Sequence, residues 1–141
     1  MLGIFSLKKM RKIEHLGLAV SDINQAIKTF EDLLDTPCYK LEEVASEHVK
    51  TAFFQVGESK IELLQATDEN SAIAKYIAKK GQGIHHIAFD VANIEKEIAR
   101  LQAKGFQLIH QTPKEGADNK LIAFLHPKST EGMLIELCQE K

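Results

Sequence analysis

Residues 83–101 read GIHHIAFDVANIEKEIARL, and they repeat the pattern of residues 12–30, KIEHLGLAVSDINQAIKTF. Ile84 falls on Ile13, His86 on His15, Val91 on Val20, Asn93 on Asp22 and Ile98 on Ile27, all at an offset of 71 residues. A second pair follows, KIELLQ at 60–65 and LIELCQ at 134–139, which sets Glu62 on Glu136 at an offset of 74. A small loop insertion accounts for the change. Self-similarity at a fixed spacing marks a duplicated structural unit. Each half therefore carries one His near its start and one Glu near its end.

The coarse elements repeat as well. HLGLAV and HHIAFDV have the composition of strands. Asp22 is an N-cap for a helix with Ile23, Ile27, Phe30 and Leu34 on one face. Asn93 caps its counterpart, with Ile94, Ile98 and Leu101 inward and Gly105 as the stop. VKTAFFQVG followed by SKIELLQ reads as a hairpin about Gly57–Glu58, and NKLIAFLHP followed by GMLIELCQ as its counterpart. A weaker strand precedes each hairpin, CYKLEEVA in one half and FQLIHQTP in the other. Each module is β-α-β-β-β, which makes the chain α+β. Between them ENSAIAKYIAKKG, with Ser71 as cap, Ile73, Tyr76 and Ile77 on one face and Gly81 as stop, predicts a connecting helix. The expected division is an N-terminal extension over 1–11, module one over 12–68, the connecting helix over 70–81 and module two over 83–140.

Parity separates the two adjacent histidines, because neighbouring side chains of a strand point to opposite faces. Leu16, Leu18 and Val20 share the face that packs under the helix; His15, Gly17 and Ala19 share the other. In the second copy His85, Ile87, Phe89 and Val91 take the helix side, while His86, Ala88 and Asp90 take the face with little bulk. His86 is therefore the functional candidate and His85 is not. Glu62 and Glu136 stand among apolar strand neighbours, where a bare carboxylate costs several kcal/mol unless paired or metal-bound. Two neutral imidazoles and two carboxylates give four ligands to one divalent cation, and cobalt, manganese, nickel, zinc and iron all suit such nitrogen and oxygen ligation.

Composition bounds the function. The chain has 141 residues, enough for one domain with a real core, and 44% hydrophobic with 27% charged residues is a globular balance. A net charge of -2 argues against nucleic acid or an anionic membrane as partner. The two cysteines, Cys38 and Cys138, form no CxxC pattern and no disulfide framework, so a reduced, cytoplasmic protein is expected. The apolar stretch in MLGIFSLKKM is too short for a signal peptide core or a membrane span.

Paired βαβββ modules with His and Glu at these places resemble the vicinal oxygen chelate superfamily, which includes glyoxalase I, extradiol dioxygenases, fosfomycin-resistance enzymes and bleomycin-binding proteins. Within it, IEHLGLAVSDINQAI (13–27), VKTAFFQVGESKIELLQ (49–65), SAIAKYIAKKGQGIHHIAFDV (71–91) and FLHPKSTEGMLIEL (124–137) look most like the methylmalonyl-CoA epimerase family. The resemblance implies a mixed sheet curled around one metal, with His15, Glu62, His86 and Glu136 as ligands and Co2+ as the first expectation (Mn2+, Ni2+ or Zn2+ as others). It implies an acyl-CoA substrate, epimerisation of its α-carbon and a homodimer. That family carries a second carboxylate in a PEQGV or PEHGV segment. Here the run is ASEHVK, and Glu47 matches the carboxylate if one gap replaces the missing Gly before Val49. Glu47 and Glu136 would then be the two acid–base groups. Lys128 and Ser129 of HPKST, with Lys79 and Lys80, are candidates for the CoA phosphates. Two other readings share parts of the pattern: a glyoxalase I-like lyase with the same metal, and a metal-free small-molecule binding protein.

Overall fold

The computed structural model describes residues 10–141; residues 1–9 of the expected extension lie outside them. The elements are β1 (Met10–Ala19), α1 (Ile23–Leu34), β2 (Lys40–Val44), β3 (Val49–Val56), β4 (Ser59–Ala66), α2 (Ala72–Lys80), β5 (Gly83–Val91), α3 (Ile94–Ala103), β6 (Lys114–Glu115), β7 (Lys120–Leu125) and β8 (Ile135–Glu140). Short 3-10 turns occupy Ala45–Glu47 and Pro127–Ser129. Among the described residues no helix is long and apolar enough to cross a membrane. Cys38 and Cys138 are not joined in a disulfide.

The chain forms two compact units, one over His15–Ile87 and the other over Ala88–Lys141 with the start of β1 as far as Glu14. In the first, β2, β3, β4 and β1 are neighbours in that order. β2–β3 and β3–β4 pair antiparallel, and β1–β4 pair parallel. The hairpin turns on Gly57 and Glu58, with Gly57 at φ 59, a conformation that glycine adopts without cost. In the second unit β8, β7 and β6 pair antiparallel. Both units are mixed helix and sheet, as the repeat requires.

Alternation along the strands decides which face each helix covers. Val20, Ala52, Phe54 and Leu63 are buried with Ile23, and Leu18, Ile27, Phe30 and Leu34 pack against them. This is the helix face expected of β1, and α1 lies on it. In the second unit Val91, Ile94, Ile98, Leu101, Ala123, Leu125 and Leu137 form the equivalent cluster under α3. The connecting helix α2 takes the opposite face: Ile73 buries against Ala19, Val49 and Leu64, with Tyr76 and Ile77 at its margin. Part of the His15 face is therefore covered by α2 rather than open.

The helix ends repeat too. Asp22 accepts from the N–H of Gln25 and Asn93 from that of Lys96, each at 3.1 Å. The side-chain oxygen of Gln65 accepts from the Ile23 N–H at 2.7 Å, and that of Gln139 from the Ile94 N–H at 2.7 Å. The last residue of each IEL-x-Q stretch thus ties the end of a strand to the start of a helix. It satisfies a donor that no intrahelical partner can reach. Ser71 caps α2 through the Ile73 N–H, and Gly81 ends it at φ 78.

One expected element differs. FQLIHQTP does not form the predicted strand. Leu108 makes an isolated bridge to Leu125, and regular pairing begins only with Lys114 and Glu115. The N–H groups of Ile109 and His110 both converge on the Phe124 carbonyl, and Pro113 supplies no donor. The segment follows β7 without keeping a strand's two-residue rhythm.

Candidate metal centre

Three of the four candidate ligands meet inside the first unit. His15 on β1, Glu62 on β4 and His86 on β5 are each 5% exposed. Gly17 stands opposite Glu62 in the parallel β1–β4 register, so His15, Gly17 and Glu62 share one face. The His15 and His86 Nε2 atoms are 3.0 Å apart. Glu62 Oε1 lies 3.2 Å from the first and 3.5 Å from the second. The two rings are edge-on, at 86° to each other.

These edges suit a cation. Nitrogen and oxygen ligands about 2.1 Å from a first-row divalent ion stand about 3.0 Å apart in octahedral and about 3.4 Å in tetrahedral geometry. The donor set, two imidazole nitrogens and a carboxylate oxygen converging on one point, fits such an ion. Burial pushes the Glu62 carboxyl up. The charges and hydrogen bonds of His15 and then His86 outweigh it, so its pKa falls below the ordinary carboxylate value.

The ring of His86 rests on Gly17. A Cβ built on Gly17 would overlap the Cε1, Nδ1 and Nε2 atoms of that ring. On its other edge, His86 Nδ1 lies 3.0 Å from His85 Nδ1. His85, which parity alone sets aside, is half-buried and stands edge-on to Tyr76 at 5.0 Å. The signal in the sequence was the pairing itself, two histidines with Gly17 on the functional face of the neighbouring strand.

The remaining candidates are placed as follows. Glu136, 5% exposed, lies on β8 in the second unit, in register with Phe124. Glu47 ends the 3-10 turn Ala45–Glu47 and is half-buried. His48 follows it at φ 56, ψ 46. That left-handed conformation is the one a glycine supplies, so His48 occupies the Gly place of the PEQGV pattern without a gap. The ungapped register sets Ser46 on the pattern's carboxylate and Glu47 one place beyond it. Lys128 is exposed. Ser129 Oγ accepts from the Gln107 N–H at 2.9 Å, which ties the turn to the preceding loop. His126 Nδ1 accepts from the Lys128 N–H, the turn-shaping role its place before Pro127 suggests. A cavity of about 620 Å³, lined by Leu18, Val20, Gln25, Phe30 and Ile84 among others, opens beside α1. None of His15, Glu62 and His86 lines it.

Comparison with known proteins gives the family. Residues 14–124 match the model of the glyoxalase/bleomycin resistance protein/dioxygenase superfamily. An uncharacterized Bacillus subtilis protein, YqjC, is 38% identical, the match covering 94% of each chain. The mitochondrial methylmalonyl-CoA epimerase of Mus musculus is 31% identical over 93% of this chain and 74% of that one. A Streptomyces coelicolor methylmalonyl-CoA epimerase variant, solved in complex with 2-nitronate-propionyl-CoA, superposes with a TM-score of 0.89 at 31% identity, covering 93% of this chain and 95% of that one. The chain belongs to the glyoxalase/bleomycin resistance protein/dioxygenase superfamily, whose fold it has. Within that superfamily its place is in the methylmalonyl-CoA epimerase family of isomerases.

Proposed function

We propose that this protein interconverts the (2R) and (2S) forms of methylmalonyl-CoA by proton transfer at the α-carbon, with one divalent cation held by His15, Glu62, His86 and Glu136. The observation that carries the reading is the set of three edges, 3.0, 3.2 and 3.5 Å, among two imidazole nitrogens and one ionised carboxylate in a buried site. The named epimerase relatives and the acyl-CoA analogue bound by the Streptomyces enzyme support the substrate class.

The difficulty of the reaction is the negative charge that forms as the α-proton leaves. A bound cation would supply Lewis-acid stabilisation of that charge on the thioester oxygen. His15, His86 and Glu62 hold the centre and keep its position fixed. Glu136 is proposed as one acid–base group, and Glu47, the half-buried carboxylate one place beyond the pattern's position, as the other. One carboxylate takes the proton as the C–H bond breaks, and the other returns a proton to the opposite face; the roles exchange in the reverse direction. Atoms and charge balance, since one proton leaves and one arrives. Lys128 and Ser129 are assigned to the CoA phosphates, and the working form is proposed to be a homodimer in the cytoplasm, organised as two modules over 12–68 and 83–140.

Incubation of the protein and Co2+, Mn2+, Ni2+ or Zn2+ with either diastereomer in heavy water tests the proposal. Deuterium should enter at the α-carbon and the diastereomers should equilibrate. No exchange with any of these metals eliminates the reading. Glu47→Gln should abolish proton transfer on one face while Co2+ affinity is retained. If exchange is unchanged, the second base lies elsewhere.

A further inference from the structure

Gly17 has no backbone reason to be glycine. The glycines at 57, 81, 105 and 132 adopt positive φ and have open space where a Cβ would be; Gly17 does neither. What fills its Cβ position is the imidazole of His86, from Cε1 to both nitrogens. The position that repeats Gly17 in the second half is Ala88, buried with an ordinary Cβ. The requirement is therefore local to one ring and not a property of the strand.

The opposite side of that ring is also engaged. His86 Nδ1 meets His85 Nδ1 at 3.0 Å, while its Nε2 faces His15 Nε2 and Glu62. One nitrogen of this Nδ1 pair must carry the proton. A proton on His86 Nδ1 leaves the lone pair on Nε2, aimed at the other two donors. His85 is in turn packed edge-on against Tyr76, whose hydroxyl donates to the Ile84 carbonyl at 2.7 Å. A partner on the second nitrogen is the usual means of fixing a ligand imidazole's tautomer and orientation.

We propose that Gly17 and His85 form the seat of His86: the missing Cβ admits the ring, and the His85 nitrogen holds the tautomer that presents Nε2. Both are positioning residues that act through the His86 ring. The inference rests on the metal reading for its purpose, but its geometry can be tested without metal.

The first test is a double-mutant cycle on the apoprotein, comparing thermal midpoints of wild type, G17A, H86A and G17A/H86A. G17A should lower the midpoint by several degrees in the wild-type background and by less than half as much when the His86 ring is absent. An equal cost in both backgrounds overturns the seat. The second test uses His85→Phe, which keeps a ring against Tyr76 but removes its nitrogens. Nitrogen–proton correlation spectra of the apoprotein should show a proton shared between Nδ1 of His85 and Nδ1 of His86 in wild type, and a changed His86 tautomer balance in H85F. Co2+ affinity should fall by about 10- to 100-fold in H85F and at least as much in G17A. Unchanged tautomer and affinity in H85F remove His85 from the seat. If wild type binds no Co2+ while the cycle and the spectra behave as stated, the seat stands and the metal reading alone fails.

Discussion

The two repeats agree where helix meets strand and differ in what surrounds the candidate ligands. Asp22 and Asn93 cap their helices alike, and Gln65 and Gln139 tie the same strand end to the same helix start at the same 2.7 Å. Val20 and Val91 bury under α1 and α3. These pairs repeat because the same packing problem is solved twice: an amphipathic helix must be seated on one face of a sheet and its free N–H groups satisfied. The surroundings of the candidate ligands diverge. Gly17 is matched by Ala88, and five-residue β2 has as its counterpart a segment that makes one isolated bridge before two-residue β6. A duplicated fold tolerates such asymmetry because a substrate is itself not symmetric, so each copy is free to supply different support.

The comparison can be broken most decisively at the carboxylates. Glu62→Ala and Glu136→Ala are each expected to weaken Co2+ binding by more than about 100-fold, beyond the range of a supporting residue. Isothermal titration would show it. If Glu136→Ala binds Co2+ like wild type, the ligands come from the first unit alone and the symmetry of the site is gone.

The clasps come next. Gln65→Ala and Gln139→Ala should each cost about 1–2 kcal/mol, because a half-buried N–H of Ile23 or Ile94 loses its acceptor. For a chain of this size that is roughly 3–6 °C in the thermal midpoint. Near-equal losses would show that the scaffold is energetically duplicated; a loss at only one site would show that it is duplicated in shape alone. The caps should give less, about 1 kcal/mol for Asp22→Ala and a similar figure for Asn93→Ala in denaturant melts.

The smallest expected effect is specific to the second unit. His110 Nδ1 accepts from the Phe124 N–H at 3.1 Å, an arrangement that needs the neutral ring. Burial depresses the His110 pKa, more than the nearby Glu136 raises it. The folded state therefore prefers the neutral form. This contribution to stability is present above about pH 6.5 and is lost as pH falls through the depressed pKa. His110→Gln should flatten the decline in stability between pH 7 and pH 5. An equally steep decline in the variant would remove His110 as its source.

Much of this was legible in the residues. The offset between His15 and His86, the caps at Asp22, Ser71 and Asn93, and the Gly57–Glu58 turn are local or periodic features, and the structure contains each of them. Strand parity put His15 on the face of Glu62 and away from α1. Parity does not foresee that Nδ1 of His85 and Nδ1 of His86 meet at 3.0 Å, because opposite faces of a strand do not keep adjacent imidazoles apart once both rings turn toward each other. The strand expected over FQLIHQTP fails for another reason: β propensity cannot see that two N–H groups will share one carbonyl of Phe124.

By itself the sequence determined the duplicated α+β plan and the residue types of the centre, because both follow from periods of two and 3.6 and from the cost of carboxylates among apolar neighbours. Only the tertiary structure decided that three donor atoms meet at 3.0 to 3.5 Å, that Gly17 leaves room for one ring, and that Nδ1 of His85 stands 3.0 Å from Nδ1 of His86. Those are distances between residues as many as 71 positions apart, and register and side-chain rotation across neighbouring strands set them.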